Sequence, residues 1–126
     1  TFLQYALQNG FQPESEVRRV MTREALATGN IALALDQQHA MTQLSDATID
    51  TYTDYVTAAI AAGKKDDALT VAKEAQQRWK NEARALYLLG WAELEHGDKN
   101  NAKTHLEQAL QQQPDFTAAK EKLKGL

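Results

Sequence analysis

The sequence predicts an all-α fold, an α-solenoid of antiparallel helix pairs, on three observations. The first is a period. Gly29, Gly63 and Gly97 stand 34 residues apart, each preceded at three residues by an aliphatic side chain (Leu26, Ile60, Leu94) and followed at five by an alanine (Ala34, Ala68, Ala102). Twelve residues after each glycine comes another small or flexible residue: Met41, Ala75 and Ala109. Self-similarity at this spacing marks a helix–turn–helix repeat whose units bury their apolar faces against their neighbours. The second is helical periodicity, with Tyr52, Tyr55, Val56, Ala59 and Ile60 recurring at three- and four-residue steps. The third is propensity: there are only 2 prolines and 6 glycines among frequent alanine, leucine, glutamine and lysine.

Eight helices are expected, at about 2–9, 15–28, 31–44, 48–62, 65–79, 82–96, 99–112 and 115–125. The first ends near Gly10 and Pro13. Gly29, Gly63 and Gly97 stop the second, fourth and sixth, because glycine takes the left-handed conformation without a Cβ penalty. Asn30 and Asp98 follow at once and can cap the next helix by accepting its free N–H groups. Asn81 is the expected cap of the helix beginning at Glu82, and Asp115, after Pro114, of the last. Ser15 and Ser45 also fall at expected cap positions. In the closing helix Phe116, Ala119 and Leu123 face inward, and Lys120, Glu121, Lys122 and Lys124 face water.

Residues 83–114 carry Leu86-x₂-Leu89-Gly90-x₂-Glu93, then Gly97-Asp98, Ala102-x₃-Leu106, Ala109-Leu110 and Pro114. This resembles the tetratricopeptide repeat (TPR), with Glu93 in place of its aromatic residue. The preceding unit is looser: Tyr52, Tyr55, Ala59, Gly63, Ala68, Ala72 and Ala75, with Lys80 where proline is usual. The first is looser again, with Arg18, Met21, Ala25, Gly29, Ala34 and Met41. The resemblance covers about 15–116 and implies a right-handed TPR-like superhelix forming a single domain. Its parts are the second helix of a preceding repeat (1–14), three repeats (15–48, 49–82 and 83–116) and a closing helix (117–126), with 115–125 reading equally as the start of another repeat. The small residues Ala34, Ala68 and Ala102 have a physical reason, since two helices approach closely only where side chains are short.

Composition narrows the function. The chain has 126 residues, 25% charged, and a net charge of −3, so there is no cationic excess to neutralise a nucleic acid. Lys64-Lys65, Lys120/Lys122/Lys124 and Arg18/Arg19/Arg23 read as solvated faces. There is no cysteine, hence no disulfide or thiolate chemistry. No apolar run approaches the roughly 18 residues of a membrane span, so direct membrane insertion is not expected. The chain opens at Thr1 inside a helical pattern with no visible leader, which reads as a piece of a longer protein.

Catalytic constellations are scarce. His39, His96 and His105 lack the three- or four-residue spacing of a metal face and are expected to be solvated. Neither serine has a G-x-S-x-G context. Asp50 and Asp54 share a helix face, but paired carboxylates do acid–base work only in a pocket that shifts one pKa. Neither an enzyme activity, a cofactor nor a metal is expected.

In the TPR family the first helix of each repeat lines a concave groove. Carried over by position, the ridge is Glu16, Arg19, Arg23 and Leu26 in the first unit. The second unit supplies Asp50, Thr53, Thr57 and Ile60, and the third Arg84, Tyr87, Trp91 and Leu94. Each set falls at helix-face spacing. The expected ligand is a protein or peptide, extended or helical, its acidic part at Arg19 and Arg23 and its apolar part at Tyr87 and Trp91. In the other reading, Tyr87 and Trp91 pack on the closing helix through Phe116 or Leu123. One TPR subclass clamps a chaperone tail's terminal carboxylate with ridge lysines and asparagines. Thr53, Thr57, Tyr87 and Trp91 do not match that set. A spacer or homo-oligomer joined through its solenoid ends is the structural alternative. The glutamine- and alanine-rich, cysteine-free style is similar to bacterial TPR proteins of envelope assembly or export, which implies the periplasm or cell envelope.

Overall fold

A computed structural model describes Gln4, Gln8 and residues 13–126. The expected helix at 2–9 otherwise lies outside the described residues. Among the described residues there are seven helices and no strand: α1 (Glu14–Ala27), α2 (Ile31–Thr42), α3 (Ile49–Ala61), α4 (Lys65–Arg78), α5 (Ala83–His96), α6 (Lys99–Gln112) and α7 (Thr117–Lys124). No described helix is long and apolar enough to cross a membrane.

The 34-residue period is written in the backbone. Gly29, Gly63 and Gly97 have φ of 76°, 78° and 96° and are the positive-φ residues of the described chain. Around each, two hydrogen bonds recur. Gly29 N–H donates to Leu26 C=O at 3.1 Å and Asn30 N–H to Ala25 C=O at 2.8 Å. The same pair forms from Gly63 and Lys64 to Ile60 and Ala59, and from Gly97 and Asp98 to Leu94 and Glu93. These bonds satisfy the carbonyls that a helix end leaves open, and the left-handed glycine turns the chain back on itself. The connecting turns are so short that the paired helices must run antiparallel.

The chain divides into two compact units, Thr1–Tyr55 and Val56–Leu126. In the first, α1 packs on α2. Val17, Met21 and Ala25 lie four residues apart on α1 and are buried, as are Ala34 and Leu35 of α2. Gln37, also buried, accepts from Arg18 Nη1 at 2.8 Å, and Arg18 Nη2 holds Glu14 at 3.0 Å. In the second unit α4 packs on α5, α5 on α6 and α6 on α7. Leu86, Leu106, Ala109 and Ala119 form a core against which Tyr87, Leu110, Phe116 and Leu123 pack. Gly90 sits where α5 meets α6: a Cβ there would lie 2.8 Å from Leu106 Cγ and 3.2 Å from Ala102 C=O.

Asn30 and Asp98 cap as expected, accepting from Leu33 N–H at 3.1 Å and Asn101 N–H at 3.2 Å. Other caps differ. Helix α5 begins one residue late, at Ala83, with Glu82 rather than Asn81 at its N-cap and no side-chain bond there. Helix α7 begins after Phe116, not Asp115, again with no side-chain cap. Ser15 lies inside α1 and donates to Asp46 at 2.7 Å. The start of α3 is closed by Thr48, not Ser45: Thr48 N–H donates to Thr51 Oγ1 at 3.1 Å and Thr51 N–H returns to Thr48 Oγ1 at 3.4 Å. Threonine fits because each hydroxyl oxygen can accept from the other residue's backbone N–H.

Candidate functional site

The ridge residues fall on the first helix of each pair. On α1, Arg19 and Arg23 are exposed, and Arg19 Nη1 meets Glu16 Oε2 at 2.6 Å. That ion pair is more than half exposed on both sides, so the guanidinium is held only weakly and stays available to an anion. Leu26, 52% exposed, ends the stripe beside the Gly29 turn. On α3, Asp50 and Thr57 are exposed while Thr53 and Ile60 are half-buried. Thr53 Oγ1 donates back to Ile49 C=O at 2.8 Å, so its hydroxyl proton is spent on its own helix.

In the first unit, two small depressions flank Arg19. One, of about 150 Å³, is lined by Arg19, Thr22, Gln38, Met41, Thr51 and Asp54. The other, of about 80 Å³, shares Arg19, Met41 and Thr51 and adds Ser15 and Asp46. Both fall below the ~300 Å³ at which small-molecule sites begin, so they suit side chains of a larger partner. Burial, followed by the nearby Asp50 charge, pushes the Asp54 carboxyl up from its ordinary value, and Arg19 pulls it back. Met41 and Thr51 were not among the ridge residues expected from sequence. Met41 carried a signal, standing where the other two repeats have Ala75 and Ala109.

In the second unit, Arg84 is exposed, with Nε 3.4 Å from Glu82. Tyr87, Trp91 and Leu94 are half-buried. The Tyr87 ring lies 5.1 Å from Phe116 and 6.0 Å from Trp91, and Lys122 Nζ sits 5.0 Å over the Trp91 ring. Burial raises the Tyr87 hydroxyl pKa, with Glu121 adding to the effect. Helix α7 therefore rests on part of the aromatic stripe while leaving part of each ring accessible.

Two of the three histidines meet a carboxylate. His96 Nε2 meets Asp66 at 2.7 Å on the surface. His105 is not the solvated histidine expected from sequence: it is three-quarters covered, and its Nδ1 lies 2.5 Å from the buried Glu93. Glu93 fills the aromatic position of the repeat, and its burial obliges it to find a polar partner across the helix pair. His39 packs edge-on against Tyr55 at 5.3 Å. Among the described residues no group of three or more His, Asp or Glu side chains could hold a metal.

Residues 84–115 match the family model of the tetratricopeptide repeat. Over about nine-tenths of the chain the fold is similar to two solved structures. One is the first TPR of Spaghetti (RPAP3) bound to the HSP90 peptide SRMEEVD, with a TM-score of 0.72, 17% identity, and coverage of 89% of this chain and 89% of that one. The other is the Sgt2 TPR domain from Aspergillus fumigatus, with a TM-score of 0.72, 22% identity, and coverage of 90% of this chain and 77% of that one. The chain has the tetratricopeptide-repeat fold. It is an α-solenoid of helix pairs, and the match at 84–115 falls on α5 and α6, where the sequence motif is most complete. No curated protein matches the sequence.

Proposed function

We propose that this TPR domain is a non-catalytic protein–protein interaction scaffold that receives a peptide or partner helix on the ridge of its first helices, the groove-lining helices of the family. The observation that supports this most is the exposed pair Arg19 and Arg23 on α1, with Arg19 lining two depressions sized for side chains. The similar Spaghetti structure holds a peptide, SRMEEVD, with two glutamates and an aspartate. An acidic segment suits Arg19 and Arg23 here, since guanidinium groups form strong bidentate bonds to carboxylates. An apolar segment suits the accessible parts of Tyr87 and Trp91, with Asp50, Thr53, Thr57, Ile60, Arg84, Leu26 and Leu94 completing the stripes. The composition supports a place within a larger bacterial assembly or export protein.

Selection of displayed peptides against the immobilised domain tests this reading. Enriched peptides should be acidic and apolar, and should lose about tenfold in affinity to the double variant Arg19→Ala/Arg23→Ala, as charge-assisted contacts do. Peptides that bind that variant and Tyr87→Ala/Trp91→Ala as well as the parent would remove the ridge from the function.

The contact of Phe116 and Lys122 with Tyr87 and Trp91 favours a second reading, a spacer or oligomerisation element whose ridge is covered by neighbouring helices. Sedimentation over a concentration series separates the two. A monomer at all concentrations supports the peptide scaffold, and self-association supports the spacer.

A further inference from the structure

A larger concavity lies in the second unit, away from the ridge residues. It is an open depression of about 320 Å³, at the lower edge of the ~300–1,000 Å³ range of ligand sites. Gln76, Lys80 and Asn81 form one wall, at the end of α4 and its junction with α5. Gln108, Gln111 and Gln112 of α6 form the other, and the buried Leu86 lies at the floor. The lining thus holds five amides, one cation, one apolar side chain and no acid.

Two of these residues depart from what their positions in the repeat lead one to expect. Lys80 stands where the repeat ordinarily carries proline, as Pro114 does 34 residues later. Asn81 has the residue type of a helix cap, yet Glu82 takes the N-cap position and Asn81 caps nothing. The side chains of Asn81, Lys80, Gln108, Gln111 and Gln112 make no hydrogen bond or ion pair among the described residues. Gln76 makes one long bond, Nε2 to Lys80 C=O at 3.4 Å.

We infer that this cleft is a second binding site, for the C-terminal end of an extended peptide. Each amide offers one acceptor and two donors, so facing rows of them can pair with the alternating N–H and C=O groups of an extended main chain. The Lys80 ammonium supplies the charge for a terminal carboxylate, and the absence of an acid from the lining leaves no group to repel it. Leu86 gives one side chain of the peptide an apolar floor. The lining holds no aromatic face on which a sugar ring could stack, which favours peptide over glycan. This site is independent of the ridge and stands whether or not the ridge binds.

The test is nitrogen-15 NMR of the intact domain titrated with acetyl-Ser-Thr-Ala-Leu as the free acid and as its C-terminal amide. The free acid should shift the side-chain amide signals of Gln76, Asn81, Gln108, Gln111 and Gln112. The amidated peptide should bind about tenfold more weakly, and Lys80→Ala, an exposed position, should weaken the free acid by a similar factor while Lys80→Arg retains it. Equal affinity for acid and amide, unchanged affinity in Lys80→Ala, or no shift at millimolar peptide would each overturn the inference. So would shifts confined to the ridge of α1, α3 and α5, or maltotriose shifting the same amides where the peptide does not.

Discussion

The α1–α2 and α5–α6 pairs share one turn and differ in almost everything it holds together. Both turns carry a left-handed glycine, the same two backbone bonds and a capping Asn or Asp. Between the helices, however, position 25 is Ala and position 37 a buried Gln tethered by Arg18, whereas the same positions 68 residues on are Glu93 and His105, bonded to each other. Outside the turn, Ile31 and Leu33 are exposed in the first pair, while their counterparts Lys99 and Asn101 are polar. A shared period therefore fixes backbone geometry. It leaves each pair to find its own interior chemistry and its own surface.

The largest expected contrast is between Leu106 and Gln38, which occupy the same place in the period. Leu106→Ala empties a fully buried site and should cost ~2–5 kcal/mol, measured by urea unfolding. Gln38→Ala, at a half-buried polar position, should stay within about 0.5 kcal/mol. Comparable losses at both would show that the first pair is packed as closely as the last.

Gly90 and Thr22 are likewise equivalent in register. Gly90→Ala places a methyl group 2.8 Å from Leu106 Cγ and against the Ala102 carbonyl, and should cost ~1–3 kcal/mol by the same measurement. The first pair already accommodates Thr22, whose hydroxyl donates to Arg18 C=O at 2.8 Å. An unchanged midpoint for Gly90→Ala would mean that α6 recedes freely and that the close approach is not what the glycine serves.

The fold was legible because its determinants are local: glycine at a left-handed turn, alanine at a helix contact, aliphatic residues at three- and four-residue steps. The ridge was legible as a stripe for the same reason, since helix-face spacing is a property of the chain alone. How open the stripe is was not legible. Whether Tyr87 faces solvent depends on Phe116, 29 residues away, and whether Arg19 flanks a depression depends on Met41 and Thr51 from two other helices. His105 was misread because its partner, Glu93, lies 12 residues away across a turn, outside the i+3 and i+4 spacings by which one helix reveals its own neighbours. Asn81 was misread because Asn-Glu leaves two candidate starts one residue apart, which propensity does not separate.

The two turns themselves should respond alike. At Gly29 and Gly97 an added Cβ meets nothing within 4 Å, so the cost of alanine is the left-handed backbone alone. Gly29→Ala and Gly97→Ala should each lose roughly 1–2 kcal/mol, equally in both pairs. A markedly larger loss at one would show that its turn also carries tertiary strain.

The smallest effect concerns Glu93 and is read as a pH dependence. Burial raises its carboxyl pKa above the ordinary 4.5, overcoming the His105 hydrogen bond and charge and the Lys73 charge, while Asp98 adds to the rise. A carboxyl whose folded pKa is raised contributes most when protonated, so its contribution is complete below about 4.5 and is lost as pH rises through the folded value. Glu93→Gln keeps an acceptor for His105 and removes the titration. The variant should therefore match the parent in thermal midpoint under acid conditions and rise above it as pH increases toward neutrality, while Ala25→Gln in the first pair should show no such pH-dependent gain. A Glu93→Gln variant that is progressively less stable than the parent as pH rises would reverse the sign and mean that the ion pair with His105 outweighs the cost of burying the charge.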